Sequence, residues 1–271
     1  SSDEKAFMPS ESPGVTAVIL GAGQSQGLLP LTEKLPKPML DIKGKTVLDR
    51  QVEVLNACGI KDIAVVRGYK KEAFNVPNIR YYDNDKFAET NELESLMAAK
   101  KELGNQVLVL YGDILFEKGH LEKLLKSPAD ISVLVDRAYS DAQAPEGRGA
   151  PDLVQLKDAQ ESGYRFVGAE APHAVAKVGR NVAAKDAQGE FIGMTLLSQK
   201  GARALIDTYG QLAESKAKVG SAKGIQDASV TDMLEELIAR GNEVVAVDVY
   251  KGWTEIDTFD DYKRAWAIIK E

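Results

Sequence analysis

Val15-Thr16-Ala17-Val18-Ile19-Leu20-Gly21-Ala22-Gly23-Gln24-Ser25, followed by Gln26-Gly27-Leu28-Leu29-Pro30-Leu31-Thr32-Glu33-Lys34-Leu35-Pro36-Lys37-Pro38-Met39-Leu40, decides the reading of the chain. The apolar run predicts a buried strand, and the small residues after it predict a loop whose N–H groups can converge on an anion. Gly21, Ala22 and Gly23 let the backbone approach phosphate oxygens, with Gln24 and Ser25 continuing the loop. Lys37 adds a positive charge, and Pro36 and Pro38 restrict the backbone on both sides of it.

Two nucleotide motifs are excluded. No Gly-x-x-x-x-Gly-Lys-Ser/Thr occurs, and Gly21-x-Gly23-x-x-x-Gly27 misses the dinucleotide spacing by one residue.

A second stretch, Gln106-Val107-Leu108-Val109-Leu110-Tyr111-Gly112-Asp113, predicts a central strand with a carboxylate directly after it. An ionised aspartate there needs compensation, which a hydrated divalent cation supplies. A helix N-cap is the alternative for Asp113, and the apolar Ile114-Leu115-Phe116 next to it argues against that role.

Between and after these stretches, Val47–Ala57 has helical spacing, Lys61–Val66 reads as a strand, and Ile79–Tyr82 as a short one. Cys58 reads as a small buried helix residue. Arg67, Lys70 and Lys71 form a basic run; the lysines read as a solvated face and Arg67 stays open. Asn91 with Glu94 reads as a capping box at the head of a helix. Further strands are expected at 131–135, 153–156, 164–167, 175–178, 190–198 and 243–249, with helices at 200–209, 230–239 and 260–270. Gln211–Gln226 reads as a mobile loop. Residues 137–189 are broken by glycine and proline, and read as an acceptor-side insertion with Arg148, His173, Lys177 and Arg180 as candidate anion contacts. Strand alternating with helix indicates an α/β fold: a Rossmann-like mixed, mainly parallel sheet flanked by helices, with ligands beyond the carboxyl ends of the strands.

The whole chain, 271 residues with 44% hydrophobic and 28% charged, suits one globular unit over 14–271. Residues 1–13 are polar, carry Pro9 and Pro13, and read as a linker or leader. A net charge of -7 argues against nucleic acid as partner. No apolar run approaches membrane-spanning length and no signal peptide precedes the first strand, so cytoplasmic residence without membrane contact is expected. One cysteine and no Cys/His cluster leave no sign of a disulfide or zinc.

Gly21 to Thr32, followed by Pro36-Lys37-Pro38-Met39, resembles the signature of sugar-phosphate and choline-phosphate nucleotidylyltransferases. Tyr111-Gly112-Asp113, Gly189-Glu190-Phe191-Ile192-Gly193 and Gly252 to Asp257 extend the resemblance over nearly the whole chain from residue 14. It implies the nucleotide-diphospho-sugar transferase fold. Arg50-Gln51-Val52, Val65 to Glu72 and Tyr111 to Phe116 are similar to the cytidylyltransferase domains fused to phosphoenolpyruvate mutase in phosphonate biosynthesis. The implied reaction moves CMP from CTP to 2-hydroxyethylphosphonate or 2-aminoethylphosphonate, with Mg²⁺ or Mn²⁺, and a fused mutase domain becomes a candidate partner.

By the same resemblance, Lys37, Asp113 and Asp257 are catalytic, and Asp113, Asp257 and Glu255 hold the metal. Gly21, Ala22, Gly23, Gln24, Ser25, Lys37 and Gly112 would surround the nucleotide. Asn91, Glu92 and Ser95 sit where relatives read base and ribose, a use that stands level with the capping-box reading. Choline-phosphate or sugar-phosphate transfer and a catalytically silent nucleotide-binding domain stay open. A glycosyltransferase is disfavoured because Gly112-Asp113-Ile114-Leu115 lacks Asp-x-Asp. The signature has a gap: Ser25 stands for a glycine, and Gly27 for an arginine that grips the triphosphate. Gly27 then has two possible accounts, a missing cation that Gly27→Arg would restore, or a positive φ that excludes any side chain.

Overall fold

The computed structural model describes residues 14–140, 150–158 and 172–270. The first strands are β1 (Val15–Gly21), β2 (Asp41–Ile42), β3 (Lys45–Thr46), β4 (Asp62–Arg67), β5 (Arg80–Asp83), β6 (Gln106–Tyr111) and β7 (Ile114–Leu115). They are followed by β8 (Ile131–Asp136), β9 (Leu153–Leu156), β10 (His173–Gly179), β11 (Gly189–Leu197), β12 (Val245–Val249) and β13 (Thr254–Glu255). The helices are α1 (Val47–Ala57), α2 (Glu92–Ala98), α3 (Lys118–Leu125), α4 (Gln199–Ser215), α5 (Val230–Ala239) and α6 (Phe259–Ile268).

Nine strands form one mixed sheet in the order β5-β4-β1-β6-β11-β8-β12-β10-β9, with β9 also paired to β11. Parallel pairing runs through β5, β4, β1 and β6 and recurs between β8 and β12. Strand β11 runs against β6 and β8, and β10 against β12 and β9, so parallel pairing dominates the N-terminal half only.

Alternation along each strand splits the core between two faces. Val18 of β1 and Val107 and Val109 of β6 pack with Leu93, Leu205, Met233 and Leu237 of α2, α4 and α5. Ala17, Ile19, Leu108 and Leu110 face the other way, toward Leu48 and Leu55 of α1 and Leu121 and Leu124 of α3. A smaller cluster of Leu28, Leu40, Ile42, Val47, Ile256 and Ala265 ties α6 and the β2–β3 hairpin to the loop after β1. Through it, the last part of the chain is brought back to the first.

Several local expectations change. Helix α4 continues through Gln211 to Ser215 because Leu212 is buried on its inner face. The turn beyond α4 is pinned, with Val219 and Ala222 exchanging backbone hydrogen bonds and Asp232 accepting from Ser221 N and Oγ. Gln211–Gln226 is therefore part helix and part anchored turn. The 137–189 stretch gives β9 and β10 to the edge of the main sheet. Arg148 and the strand expected at 164–167 lie outside the described residues, as does the 1–13 segment. Cys58 is the half-exposed C-cap of α1 and not a buried helix residue. No helix among the described residues is long and apolar enough to cross a membrane.

Candidate active site

Three segments meet beyond the carboxyl ends of β1 and β6. The first is the loop after β1. Gly21 lines a cavity of about 220 Å³ together with Gly23, Gln24 and Ser25, while Ala22 is buried beneath it and accepts a hydrogen bond from Tyr69 N. Among the described residues no acceptor takes the N–H of Gly23, Gln24 or Ser25, so these donors are available to an anion. Thr32 Oγ1 donates to Ser25 O, and Tyr69 Oη to Thr32 O, which fastens the far side of the loop. The Pro36-Lys37-Pro38 turn then carries Lys37 back into the cavity.

The second segment is the turn between β6 and β7. Gly112 N donates to Leu20 O at 2.9 Å, and a Cβ at Gly112 would stand 2.8 Å from that same oxygen. Glycine is required there by close approach of the β1 and β6 ends. Asp113 comes next, and β7 pairs with β13, so this aspartate does not cap a helix. Gln51, buried in α1, donates to Tyr111 O at 2.9 Å and to Ile114 O at 2.8 Å and so holds the backbone on both sides of Asp113.

The third segment runs from β13 to α6. Ile256 N donates to Asp113 O, and Asp261 Oδ2 accepts from Asp257 N and Thr258 N as part of the α6 capping box. Buried Asp136, the last residue of β8, accepts from Trp253 Nε1 and Lys251 N and fixes the approach to this segment.

Together these segments place one oxygen each of Asp113, Glu255 and Asp257 within 4.8 Å of one another. Lys37 Nζ bridges two of them, 3.1 Å from Asp113 Oδ2 and 2.6 Å from Asp257 Oδ1. Burial alone would depress the lysine, but the two carboxylates overcome it and raise the ammonium above its ordinary value. Burial raises Asp113, which Lys37 opposes and Asp257 reinforces. For Asp257 burial is outweighed by the Lys37 charge and by hydrogen bonds, and the carboxyl is lowered. Glu255 is pushed up to about 10, by burial first and then by the charges of Asp113 and Asp257. With Glu255 holding its proton, one ammonium still faces the two aspartates, and Asp113 Oδ1 is buried without a hydrogen-bond partner. An all-oxygen set with this charge surplus fits a hard divalent cation such as Mg²⁺ or Mn²⁺.

The expected nucleotide residues of α2 divide. Asn91 caps α2 by accepting from Glu92 N and donates to Asp227 O, and Ser95 is buried and accepts from Asn84 Nδ2. Neither lines the cavity. The expected capping box does not form, since Glu94 instead accepts from Tyr209 Oη. Glu92 does line the cavity, accepts from Tyr111 Oη and Val230 N, and is pushed up to about 7 by its burial. Arg67 is paired with Asp83 and stacked over Tyr81, and Lys71 is paired with Asp85. His173 stands 3.5 Å from Asp248, and Lys177 is exposed outside the cavity, whereas Arg180 lines it.

The positive-φ account of Gly27 is corrected, and a steric reason takes its place. Its φ is not positive, and a Cβ there would stand 2.4 Å from Asp257 O. The backbone that delivers the Asp257 carboxylate occupies the space a side chain at position 27 would need.

Sequence reasoning missed Gln51, Asp136, Asp152 and Glu190. Gln51 and Asp136 carried a signal, a polar residue within the apolar stripe of a helix and a carboxylate ending an apolar strand. Asp152 and Glu190 join the cavity wall only through pairing of β9 with β11.

Residues 17–214 match the MobA-like NTP transferase domain. The chain is similar to the CTP:phosphoglutamine cytidylyltransferase of Campylobacter jejuni, 26% identical over 91% of this chain and 97% of that protein. It is also similar to the CMP-5'-(3-aminopropyl)phosphonate synthase of Streptomyces rubellomurinus, 28% identical over 50% of this chain and 23% of that longer protein. Among solved structures, the CTP:phosphocholine cytidylyltransferase of Streptococcus pneumoniae superposes with a TM-score of 0.68 at 22% identity, over 95% of this chain and 100% of that one. This likeness supports the nucleotide-diphospho-sugar transferase fold expected above. With a sheet whose β1 loop, β6 aspartate and late Glu-x-Asp converge as described, and with a family match over most of its length, the chain belongs to the MobA-like NTP transferase domain family.

Proposed function

We propose that this chain transfers CMP from CTP to a small phosphonate or phosphate acceptor and releases pyrophosphate. The observation that carries the reading is the cluster of Asp113, Glu255 and Asp257 around Lys37, facing the free N–H groups of the loop after β1.

In this reading the acceptor oxygen attacks the α-phosphorus of CTP in line. The bond from that phosphorus to the β-phosphate bridging oxygen breaks, and its electron pair leaves with pyrophosphate. The acceptor is already anionic, so no general base is required. The N–H groups of Gly23, Gln24 and Ser25 receive charge on the phosphates, and Lys37 adds a mobile cation beside them. Asp113, Glu255 and Asp257 would hold a divalent ion, which would neutralise the charge brought together by acceptor and nucleotide. Gln51 and Asp261 keep two of those carboxylates in register through the backbone hydrogen bonds described above.

The acceptor side falls to the 137–189 stretch, which contributes Ala150, Pro151, Asp152 and Arg180 to the cavity wall. Glu92, Asp152 and Glu190 add acidic groups beside Tyr111, Phe191 and Trp253. Acidic and aromatic groups together suit a cationic nitrogen, which favours 2-aminoethylphosphonate over 2-hydroxyethylphosphonate. The similarity to an aminopropylphosphonate-handling relative agrees with this, and phosphocholine is the second acceptor with the same cationic character.

Pyrophosphate release with each of the four NTPs against these three acceptors and a sugar 1-phosphate tests the proposal. CTP with 2-aminoethylphosphonate is expected to give the highest kcat/KM. A preference for UTP with a sugar phosphate would move the chain to the sugar-activating branch, and no release with any pair would favour a silent nucleotide-binding domain.

A further inference from the structure

We propose that Arg180 is the residue that takes the phosphonate or phosphate group of the acceptor, an inference that rests on the transfer reaction above. Beyond the three clustered carboxylates, the cavity wall carries Glu92, Asp152 and Glu190, and among the described residues its cations are Lys37 and Arg180. A dianionic acceptor cannot settle against such a wall without a cation of its own. Lys37 is committed, with Asp113 and Asp257 both within salt-bridge distance and the phosphate loop beside it. Among the described residues Arg180 has no hydrogen-bond or ion-pair partner, and its side chain is exposed at the cavity rim.

Its place in the fold fits this role. Strand β10 ends at Gly179, whose φ of +130 turns the chain, and Val182 N closes the turn on Gly179 O at 3.3 Å. Gly179 pairs with Leu153, and Leu153 pairs with Glu190, so Arg180 leaves the sheet on the wall formed by Asp152 and Glu190. The nucleotide loop comes off β1, in the other half of the sheet. A guanidinium presents paired N–H donors that match two oxygens of a phosphonate, which a lysine does as a point charge only. With acids next to it for a cationic nitrogen, Arg180 makes this wall complementary to a small zwitterion.

Arg180 is exposed and stands clear of the core, so its substitution leaves the fold intact, checked by an unchanged melting temperature. Steady-state kinetics on Arg180→Ala and Arg180→Lys, with CTP and 2-aminoethylphosphonate or phosphocholine varied in turn, separate the outcomes. Arg180→Ala is expected to raise the acceptor KM about ten- to hundredfold, the loss of a charge-assisted hydrogen bond, while the KM for CTP stays within about twofold. Arg180→Lys should recover part of the loss. Calorimetric titration of 2-aminoethylphosphonate into wild type and Arg180→Ala, at saturating CTP analogue, should show the same weakening without turnover. An unchanged acceptor KM, or a rise confined to CTP, overturns the assignment while the reaction itself stands. Absence of pyrophosphate release by the wild type with either acceptor overturns the reaction and this assignment with it.

Discussion

Lys37 Nζ lies 2.6 Å from Asp257 Oδ1, a link across 220 residues of sequence that closes the N-terminal loop onto the C-terminal segment. The same ammonium reaches Asp113, so Lys37 bridges two of the three clustered carboxylates. On the proposed function, a divalent cation arriving there would compete with it and the triphosphate would offer the displaced ammonium a new partner, which would couple metal and nucleotide binding through one side chain.

Lys37→Met should accordingly abolish turnover while raising the affinity for Mn²⁺ in the absence of nucleotide, about tenfold or more. Paramagnetic titration of Mn²⁺ into wild type and variant reads this directly. Equal or weaker Mn²⁺ binding by the variant would show that the ammonium does not compete. Removing one partner of a buried pair also costs about 3 kcal/mol of stability, so the comparison is made well below the melting temperature.

Asp113→Asn and Asp257→Asn should each remove Mg²⁺-dependent turnover by at least about a hundredfold with the circular dichroism spectrum unchanged. The backbone around both residues is held by other groups, Gln51 on one side and Asp261 on the other, so the amide replaces the carboxylate without moving the chain. Normal rates at saturating Mg²⁺ in either variant would take that residue out of the site.

Glu92 gives a pH signature. Its carboxyl is raised from an ordinary 4.5 to about 7, by burial. A raised carboxyl pKa means the folded state keeps a proton that the unfolded chain has released. Stability from this group is full below about pH 4.5, falls as pH climbs to about 7, and stays low above that. Glu92→Gln keeps an oxygen to accept from Tyr111 Oη and Val230 N but cannot ionise. Relative to wild type the variant should gain stability between about pH 5 and about pH 8, by up to about 3 kcal/mol. Urea denaturation at those two pH values checks it, and a difference that does not change with pH would mean Glu92 is ionised in the folded protein at both.

Local signals carried the strands and helices that build the site. The Val15–Leu20 run, the Gln106–Leu110 run and the Val230–Ala239 spacing needed only their own residues to be recognised, and Asp113 showed itself by standing at the end of an apolar strand. Asp257 came from resemblance, since Glu-x-Asp is common and nothing near it points at Asp113. Long-range pairing was not legible. The run from 137 to 189 contains short strands in any reading, but their place beside β11 and β12 depends on hydrogen bonds between segments far apart in sequence. The same holds for Glu94, whose partner is Tyr209 in α4 and not the N-terminal backbone of its own helix. Lys37 was read as a phosphate ligand; its ion pairs with Asp113 and Asp257 require the third dimension.

Gly27 is the sharpest case, because the sequence suggested either a missing cation or an unusual φ, and the structure gives a third reason. A Cβ at position 27 would stand 2.4 Å from Asp257 O, a backbone atom that cannot swing away as a side chain can. The Asp257 N–H is bound to Asp261 Oδ2 at 3.0 Å, and the Asp257 carboxylate to Lys37, so moving that carbonyl moves the carboxylate. Overpacking of this kind costs about 1 to 3 kcal/mol. Gly27→Ala and Gly27→Arg should therefore both weaken Mn²⁺ binding and lower kcat about ten- to hundredfold, the arginine giving no gain in CTP affinity. Calorimetry with CTP and titration with Mn²⁺ on both variants distinguish the accounts. Tighter CTP binding by Gly27→Arg, with Gly27→Ala unaffected, would restore the missing cation and remove the steric reading. Loss in both, with the Mn²⁺ affinity falling in step, ties the glycine to the placement of Asp257.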